Sequence, residues 1–349
     1  MSRRNAKRKC IFKRIKIMFA TLVVVCGVTL MTVILYDDGI LLPNIYIMFS
    51  RGEFENITCH YMTSGDALSS VDDKNCTTLS NSIFFLETSC TGTLNSRQAC
   101  AVESAARAHP EWTVNLFFAS PVSASNLNKT PLTQINQLKN IVISRIHVLE
   151  YTKNTPLHKM VANGALNRTK WRISHSSDVL RYLTLYKWGG VYLDLDVVVA
   201  RSFTSLARNF AARVSDTAVA AGVLSLTGIY NISIGIFRDI KRNYRGDRWG
   251  HNGPGVITRL LQRRCGMRNT SRMSMKMDCK VCVEQFRGNF EMIADETARD
   301  NVSQPNVYVY HVWNRLTKSY IVTNESAYAR LAKRYCPTIY ESYGNDFGI

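Results

Sequence analysis

Short apolar runs alternate with amphipathic segments in the first half of the chain. The runs at 82–90, 113–120 and 146–151 have the length and apolar content of buried strands. Residues 94–112 repeat apolar positions at helical spacing, and Pro110 marks the end of that helix. Strand, helix and strand in this order predict parallel strands joined by right-handed crossovers. The pattern therefore predicts an α/β fold with a mainly parallel central sheet.

The second half of the chain continues the same alternation. A helix is predicted at 175–190, and it leads directly into the apolar run VYLDLDVVV at 191–199. A strand at 218–225, a helix at 251–265 and a last strand at 306–313 follow. All of these elements are expected to extend one fold.

The N-terminal region predicts a membrane anchor. Residues 17–36 are twenty consecutive residues without a charge, which as a helix span roughly 30 Å, the thickness of a bilayer core. A cleaved signal peptide is the alternative, although its apolar region is usually about 7–15 residues long. Residues 1–16 hold eight Lys or Arg and no acid, so the positive-inside rule predicts a cytoplasmic basic tail. The rest of the chain is then lumenal or extracellular, as in a type II membrane protein.

Glycosylation sequons and cysteines agree with that topology. Both are concentrated beyond the apolar span, where N-glycosylation and disulfide formation take place. The acceptor asparagines are Asn56, Asn75, Asn128, Asn167, Asn231, Asn269, Asn301 and Asn324. The cysteines on that side are Cys59, Cys76, Cys90, Cys100, Cys265, Cys279, Cys282 and Cys336. Their even number predicts disulfides of unknown pairing, in preference to a zinc site at Cys279 and Cys282.

The chain is strongly basic, and the tail at 1–16 accounts for only part of its net positive charge. The chain has 44 Lys and Arg against 26 Asp and Glu, a formal net charge of +18. Beyond residue 36 there are 36 basic and 26 acidic residues, so the predicted folded part is basic too. This surplus suits a phosphate ester or an anionic membrane surface. No nucleic-acid-binding module is recognisable, and no nucleic-acid partner is expected.

Two carboxylates interrupt the apolar run at 191–199. In a strand, Asp194 and Asp196 would project from the same face, where their charges repel each other. A divalent cation between these carboxylates and a diphosphate would explain the arrangement, because Mg²⁺ and Mn²⁺ bridge carboxylates to phosphate oxygens. The alternative is a strand end at which both aspartates are solvated. The pattern alone does not separate the two interpretations.

Three longer blocks resemble one family. SDVLRYLTLYKWGGVYLDLDVVV, WGHNGPGVITRLLQRRC and YHVWNRLTKS are similar to blocks of the DxD-containing α1,4-glycosyltransferases, and the resemblance runs from about residue 84 to 337. It implies a GT-A-type nucleotide-sugar-binding fold. The domains it implies, beyond the tail (1–16) and the anchor (17–36), are a stem with few buried contacts (37–80), a donor-binding half (81–215), a C-terminal half (216–340) and a terminal tail (341–349).

The resemblance also implies roles for single residues in donor and metal binding. Asp194 and Asp196 would hold Mn²⁺ (or Mg²⁺) and the diphosphate of the donor, and Asp178 and Arg181 would contact the nucleotide sugar. His311 would complete the metal site, since a neutral imidazole is a good ligand for Mn²⁺. A histidine packed in the core is the alternative for His311.

The acceptor side is less defined. The resemblance implies that Trp249, His251 and Trp313 lie there, and the candidates for a catalytic role are His251, Asn252 and Gly253. The alternative interpretation of the WGHNGP block is an ordinary helix N-terminus. The segment FRGNFEMIADETARDNV replaces a Pro-Ile-Pro-Trp-like element of the relatives, so the identity of the acceptor stays open.

The implied activity is a retaining transfer of galactose or N-acetylgalactosamine from a UDP-sugar, in α1,4 linkage, to a glycosphingolipid at the Golgi membrane. Two alternatives remain: an enzyme of the same fold that acts on protein glycans, and a catalytically silent type II membrane protein that binds glycans. Whether the chain forms a homo-oligomer is left open.

Overall fold

A computed structural model describes residues 55–71, 81–226, 230–266, 268–270, 282–284 and 307–348. The predicted cytoplasmic tail (1–16) and membrane anchor (17–36) lie outside these residues. In the part of the chain that is described, no helix has the length and apolar character needed to cross a bilayer.

The described residues form nine strands and eleven α-helices. The strands are β1 (Ser82–Glu87), β2 (Thr113–Phe118), β3 (Ile141–Arg145), β4 (Val191–Leu193), β5 (Val197–Val199), β6 (Phe210–Ser215), β7 (Ala218–Ser225), β8 (Cys282–Glu284) and β9 (Val309–His311). The helices are α1 (Ser96–Ala108), α2 (Ala124–Leu127), α3 (Leu132–Asn136), α4 (Val148–Thr152), α5 (His158–Ala162), α6 (Arg172–Trp188), α7 (Tyr230–Asn243), α8 (Pro254–Cys265), α9 (Asn314–Thr317), α10 (Ala327–Tyr335) and α11 (Pro337–Tyr343).

Seven strands form the central sheet in the order β3-β2-β1-β4-β7-β6-β8. The strand β1 pairs in parallel with β2 and β4, β2 pairs in parallel with β3, and β6 pairs in parallel with β8. Only β7 runs antiparallel to its neighbours β4 and β6. The prediction of an α/β fold with a mainly parallel sheet is confirmed. The strands β5 and β9 form a separate two-stranded antiparallel sheet.

Hydrophobic cores cover both faces of the central sheet. Ile83 and Phe85 of β1 point into one core together with α1, and Phe84 and Leu86 point into the other core together with α6. Every residue of β1 is buried, which is why this strand is a continuous apolar run instead of an alternating one.

The third predicted strand is wrong. Residues 146–151 do not form a strand; β3 ends at Arg145, and α4 begins at Val148. Val148, Tyr151 and Thr152 are buried on one face of that helix, at the helical spacing of three and four residues. A short apolar run of this kind fits either element, and its packing decides between them.

The predicted stem and terminal tail both contact the domain. Ile57 and Val71 are buried, so the expectation of few buried contacts at 37–80 is wrong for the described residues 55–71. At the other end, Phe347 is buried in the core, and the Gly348 carbonyl accepts a hydrogen bond from Arg97 at 3.2 Å. Residues 341–348 are therefore part of the fold.

Disulfides are present in the part of the chain predicted to be lumenal. Cys59 is bonded to Cys90, and Cys100 is bonded to Cys336. Cys265 is disulfide-bonded as well. The second bridge joins α1 to the residue between α10 and α11, which are far apart in sequence.

The sequons that the structure describes are accessible. Asn56, Asn128, Asn167 and Asn324 are exposed, and Asn269 is half-buried. The positions 75 and 301, together with the side chain at 231, lie outside the described part.

Candidate functional site

The run at 191–199 is two strands instead of one. The strand β4 ends at Leu193 and β5 begins at Val197, so Asp194 and Asp196 lie on the turn between them and do not share a strand face. The Asp194 N–H donates to the Gly222 carbonyl at 2.8 Å, and the Val197 N–H donates to the Asp194 carbonyl at 3.1 Å. The prediction of one continuous strand is wrong, because β4 pairs within the central sheet and β5 pairs with β9.

The turn nevertheless brings the three predicted metal ligands together. One ligand atom each of Asp194, Asp196 and His311 lies within 4.8 Å of the others. His311 ends β9 and stands opposite Val197 of β5 in the antiparallel register, so its Nε2 lies 3.0 Å from Asp196 Oδ1. The pairing of β5 with β9 therefore brings together residues that are more than a hundred positions apart.

The chemistry of this cluster suits a divalent cation. Burial disfavours ionisation of Asp196, but His311 and the hydrogen bond from the Asn314 N–H together lower the pKa of this carboxyl. Burial likewise disfavours protonation of His311, but Asp196 and Asp194 together raise the pKa of the imidazole. Two carboxylates and an imidazole fit Mn²⁺ well and Mg²⁺ through their oxygens.

A buried arginine holds Asp194 in place. Arg181 of α6 lies 3.1 Å from Asp194 Oδ1 and 3.3 Å from Asp178 Oδ1, and its guanidinium lies over the ring of Tyr192 at 4.7 Å. The Tyr192 hydroxyl donates to Asp194 Oδ1 at 2.7 Å. Burial raises the pKa of Asp178 to about 6, although Arg181 opposes this shift. The two residues predicted to contact the donor thus lie beside Asp194, a predicted metal ligand, and Arg181 is paired with it.

Two glycines make room for these carboxylates. A Cβ at Gly222 would collide with the carboxylate of Asp194, and a Cβ at Gly253 would collide with that of Asp178. Neither carboxylate can move freely, because both are paired with Arg181. Gly253 therefore has a steric role beside the site.

The cluster opens into a cavity of about 460 Å³. Its wall includes the predicted donor and metal residues, the two predicted acceptor-side tryptophans and several residues that the sequence analysis did not single out. These residues are Asp178, Arg181, Asp194, Asp196, His311, Trp249, Trp313, Glu87, Ser177, Tyr192 and Arg315.

Glu87 is the least expected member of this wall. It is the last residue of β1, its side chain is buried, and burial raises its pKa to about 7 against the opposing hydrogen bonds from Ser89. The signal in the sequence was the position of an acid at the end of a central strand, since open α/β sheets bind ligands at the carboxyl ends of their strands.

The proposed catalytic candidates have structural contacts. His251 Nε2 lies 2.9 Å from the Asn243 carbonyl. The buried Asn252 bonds the backbone of Arg245 with both ends of its amide, at 3.0 and 2.8 Å. Neither His251 nor Asn252 belongs to the described residues that line the cavity. Both side chains organise the loop before α8.

The two acceptor-side tryptophans have different surroundings. Trp249 lies on the cavity wall and is 44% exposed. Trp313 stacks on the ring of His311, with centroids 4.6 Å apart and planes 15° from parallel. Its backbone is left-handed, with φ of 51°, a conformation that is rare for a bulky residue and often found at functional sites. Trp313 therefore packs on a predicted metal ligand as well as lining the cavity.

Comparisons with known proteins match two consecutive regions. Residues 95–212 match the glycosyltransferase sugar-binding region containing the DXD motif, and residues 232–343 match the alpha 1,4-glycosyltransferase conserved region. Lactosylceramide 4-alpha-galactosyltransferase of Mus musculus is 26% identical over 276 residues, which cover 74% of this chain and 75% of the relative. Alpha-1,4-N-acetylglucosaminyltransferase of Homo sapiens is 25% identical over 278 residues, which cover 74% of this chain and 79% of the relative.

Solved structures of glycosyltransferases are also similar. One is the structure of PaToxG glycosyltransferase, which is 22% identical in sequence to this chain and superposes with a TM-score of 0.42. The alignment covers 52% of this chain and 69% of the PaToxG chain.

Proposed function

The chain belongs to the DXD-containing α1,4-glycosyltransferase family, and from that premise we propose that it is a retaining hexosyltransferase. The proposed reaction transfers galactose or N-acetylgalactosamine from a UDP-sugar, in α1,4 linkage, to a glycosphingolipid acceptor. The observation that carries the proposal is the cluster of Asp194, Asp196 and His311 on the wall of one cavity.

The residues of the cavity have different proposed roles. Asp194, Asp196 and His311 would hold the divalent cation, Mn²⁺ or Mg²⁺, which supplies positive charge to the diphosphate as UDP leaves. Arg181 fixes the position of Asp194 through an ion pair of 3.1 Å. Trp249 presents an exposed aromatic face at the cavity wall, on which the apolar face of an acceptor sugar would stack.

The choice of sugars is the finer part of the proposal. The relatives named above include a galactosyltransferase and an N-acetylglucosaminyltransferase. The name of the first supports galactose as the donor sugar and lactosylceramide-like acceptors. Transfer to protein glycans, or binding of glycans without catalysis, are the alternatives that an assay has to separate.

In the presence of Mn²⁺, the purified part of the chain beyond residue 36 should hydrolyse a UDP-hexose or transfer its hexose to an acceptor. Both activities should cease when EDTA removes the metal. The assay is a donor screen with UDP-galactose, UDP-N-acetylgalactosamine and UDP-N-acetylglucosamine against lactosylceramide and longer glycolipids. Glycopeptide acceptors run in parallel as the control for acceptor class. Mn²⁺-dependent transfer to glycopeptides alone would contradict the assignment of a glycolipid acceptor. If no donor were turned over, the remaining interpretation would be a protein that binds glycans without catalysis.

We also propose a location in the Golgi membrane, with the N-terminus in the cytosol and the catalytic part in the lumen. The apolar span at 17–36, the basic tail and the sequons support this topology. The protein expressed in cells should keep its N-terminus and lose mass with an N-glycosidase. A mature N-terminus near residue 37, or no change of mass, would refute the proposed anchor.

A further inference from the structure

Arg315 is an unusual cation in the cavity wall. Its guanidinium carbon lies over the indole rings of Trp171 at 4.6 Å and Trp249 at 4.8 Å. Contacts through the face of a guanidinium leave its N–H groups, which lie in the plane, for hydrogen bonds at the edge. That edge matches the oxygens of a phosphate or carboxylate in a two-point contact. The two indoles therefore hold a cation at the cavity wall.

In the described part of the chain, this guanidinium forms no ion pair with a carboxylate. Among the residues that the structure describes, no carboxylate oxygen lies within 4.0 Å of Arg315, and its buried Nε has no hydrogen-bond partner. Glu55 is the carboxylate whose field reaches it, but Glu55 Oε2 accepts a hydrogen bond from the Ile173 N–H at 2.7 Å. Arg181, the other arginine on the cavity wall, is already paired with Asp178 and Asp194.

The position of Arg315 in the chain places it beside the metal cluster. The N–H of the preceding residue, Asn314, donates to Asp196 Oδ2 at 3.0 Å. Arg315 and Asp196 line the same cavity. Arg315 and the metal cluster therefore belong to one cavity wall, where we consider an anion that contacts both.

The formal charges of the wall indicate what a bound diphosphate would meet there. When ionised, the three aspartates and Arg181 together carry two negative charges, which one divalent cation would offset, and Glu87 adds a further negative charge when it is ionised. The diphosphate of a nucleotide sugar then adds two negative charges, and a third develops on UDP as the bond to the sugar breaks. Among the described residues of the wall, Arg315 is the cationic side chain outside an ion pair with a carboxylate, and fixed charges of this kind stabilise the leaving group in a low-dielectric site.

We propose that Arg315 binds the diphosphate of the nucleotide-sugar donor through the edge of its guanidinium, and that Trp171 and Trp249 hold it in place. The proposal rests on the proposed function, because it assumes a nucleotide-sugar donor. An acidic group on the acceptor is the second source of an oxyanion, and the experiment has to tell the two apart.

The test measures the affinity of the protein for UDP and for uridine by calorimetry in Mn²⁺, with Arg315→Gln and Arg315→Lys. Arg315→Gln should weaken UDP about 10- to 100-fold, the effect of losing charged hydrogen bonds, and leave uridine unchanged. Arg315→Lys should recover part of the loss, because it keeps the charge without the two-point edge. The matched control is Lys318→Gln, which removes the same charge from an exposed position three residues away.

The melting temperature shows that each variant is folded. UDP affinity of a folded Arg315→Gln protein within twofold of the wild type would overturn the proposal. A rise in the KM for the acceptor with UDP affinity unchanged would also overturn it, and would assign Arg315 to the acceptor. If the wild type itself bound no UDP, the proposed function would fail, which is a separate result from the behaviour of the variants.

Discussion

Asp196→Asn should lower metal-dependent turnover by about 10²–10³-fold, the scale of losing one charge-stabilising group at a reacting centre, while the protein stays folded. The substitution keeps the shape of the side chain and an oxygen for the Asn314 N–H, which donates to Asp196 Oδ2 at 3.0 Å. It removes the negative charge that a divalent cation requires next to His311. The measurement is turnover as a function of Mn²⁺ concentration, together with the melting temperature.

A matched aspartate separates this effect from a general loss of charge. Asp216→Asn removes a carboxylate whose side chain is 73% exposed and whose ion pair with Arg213 lies outside the cavity wall. Its turnover should equal that of the wild type. A folded Asp196→Asn protein with full activity and an unchanged Mn²⁺ dependence would remove Asp196 from the metal site.

His311→Ala should weaken Mn²⁺ binding by at least about 10- to 100-fold, the range measured even for groups that only support metal ligands. The imidazole Nε2 lies 3.0 Å from Asp196 and within reach of an ion held by Asp194. The loss of the ring also removes the stacking partner of Trp313. Turnover should therefore fall with it, and added Mn²⁺ should restore part of the activity.

Direct titration of Mn²⁺ followed by electron paramagnetic resonance gives a readout that does not depend on activity. His147→Ala is the control, because His147 lies before α4 and is not among the described residues on the cavity wall. Unchanged Mn²⁺ affinity in a folded His311→Ala protein would assign His311 to the packing of β9 alone.

Much of the central sheet, and the long helix before β4, could be predicted from local pattern. The strands β1, β2 and β7 and the helix α6 follow from apolar runs and helical spacing, because burial on both faces of a sheet favours such runs. A cation site was one of the two interpretations that the sequence offered for Asp194 and Asp196, since carboxylates in an apolar run are costly unless they are solvated or bind a cation. The resemblance added His311.

The roles of other residues could not be read from the sequence. The sequence offers no sign that Trp171 and Trp249 meet at Arg315, because the three belong to segments more than 60 residues apart. The acid at Glu87 likewise becomes part of the site only when β1 lies beside β4 in the sheet. Even the pairing of Cys100 with Cys336 depends on which helices pack together.

The sequence by itself determined the α/β class and the elements β1, β2, β7, α1, α6 and α8, because local periodicity is a property of neighbouring residues. It also offered Asp194 and Asp196 as candidate ligands of a cation. The tertiary structure alone decided where the run at 191–199 breaks. Leu193 ends a strand of the central sheet, Val197 begins a strand that pairs with β9, and the turn between them aims two carboxylates at His311. That choice depends on hydrogen bonds to partners about 30 and more than 100 residues away, and no local pattern encodes which distant strand a residue will find.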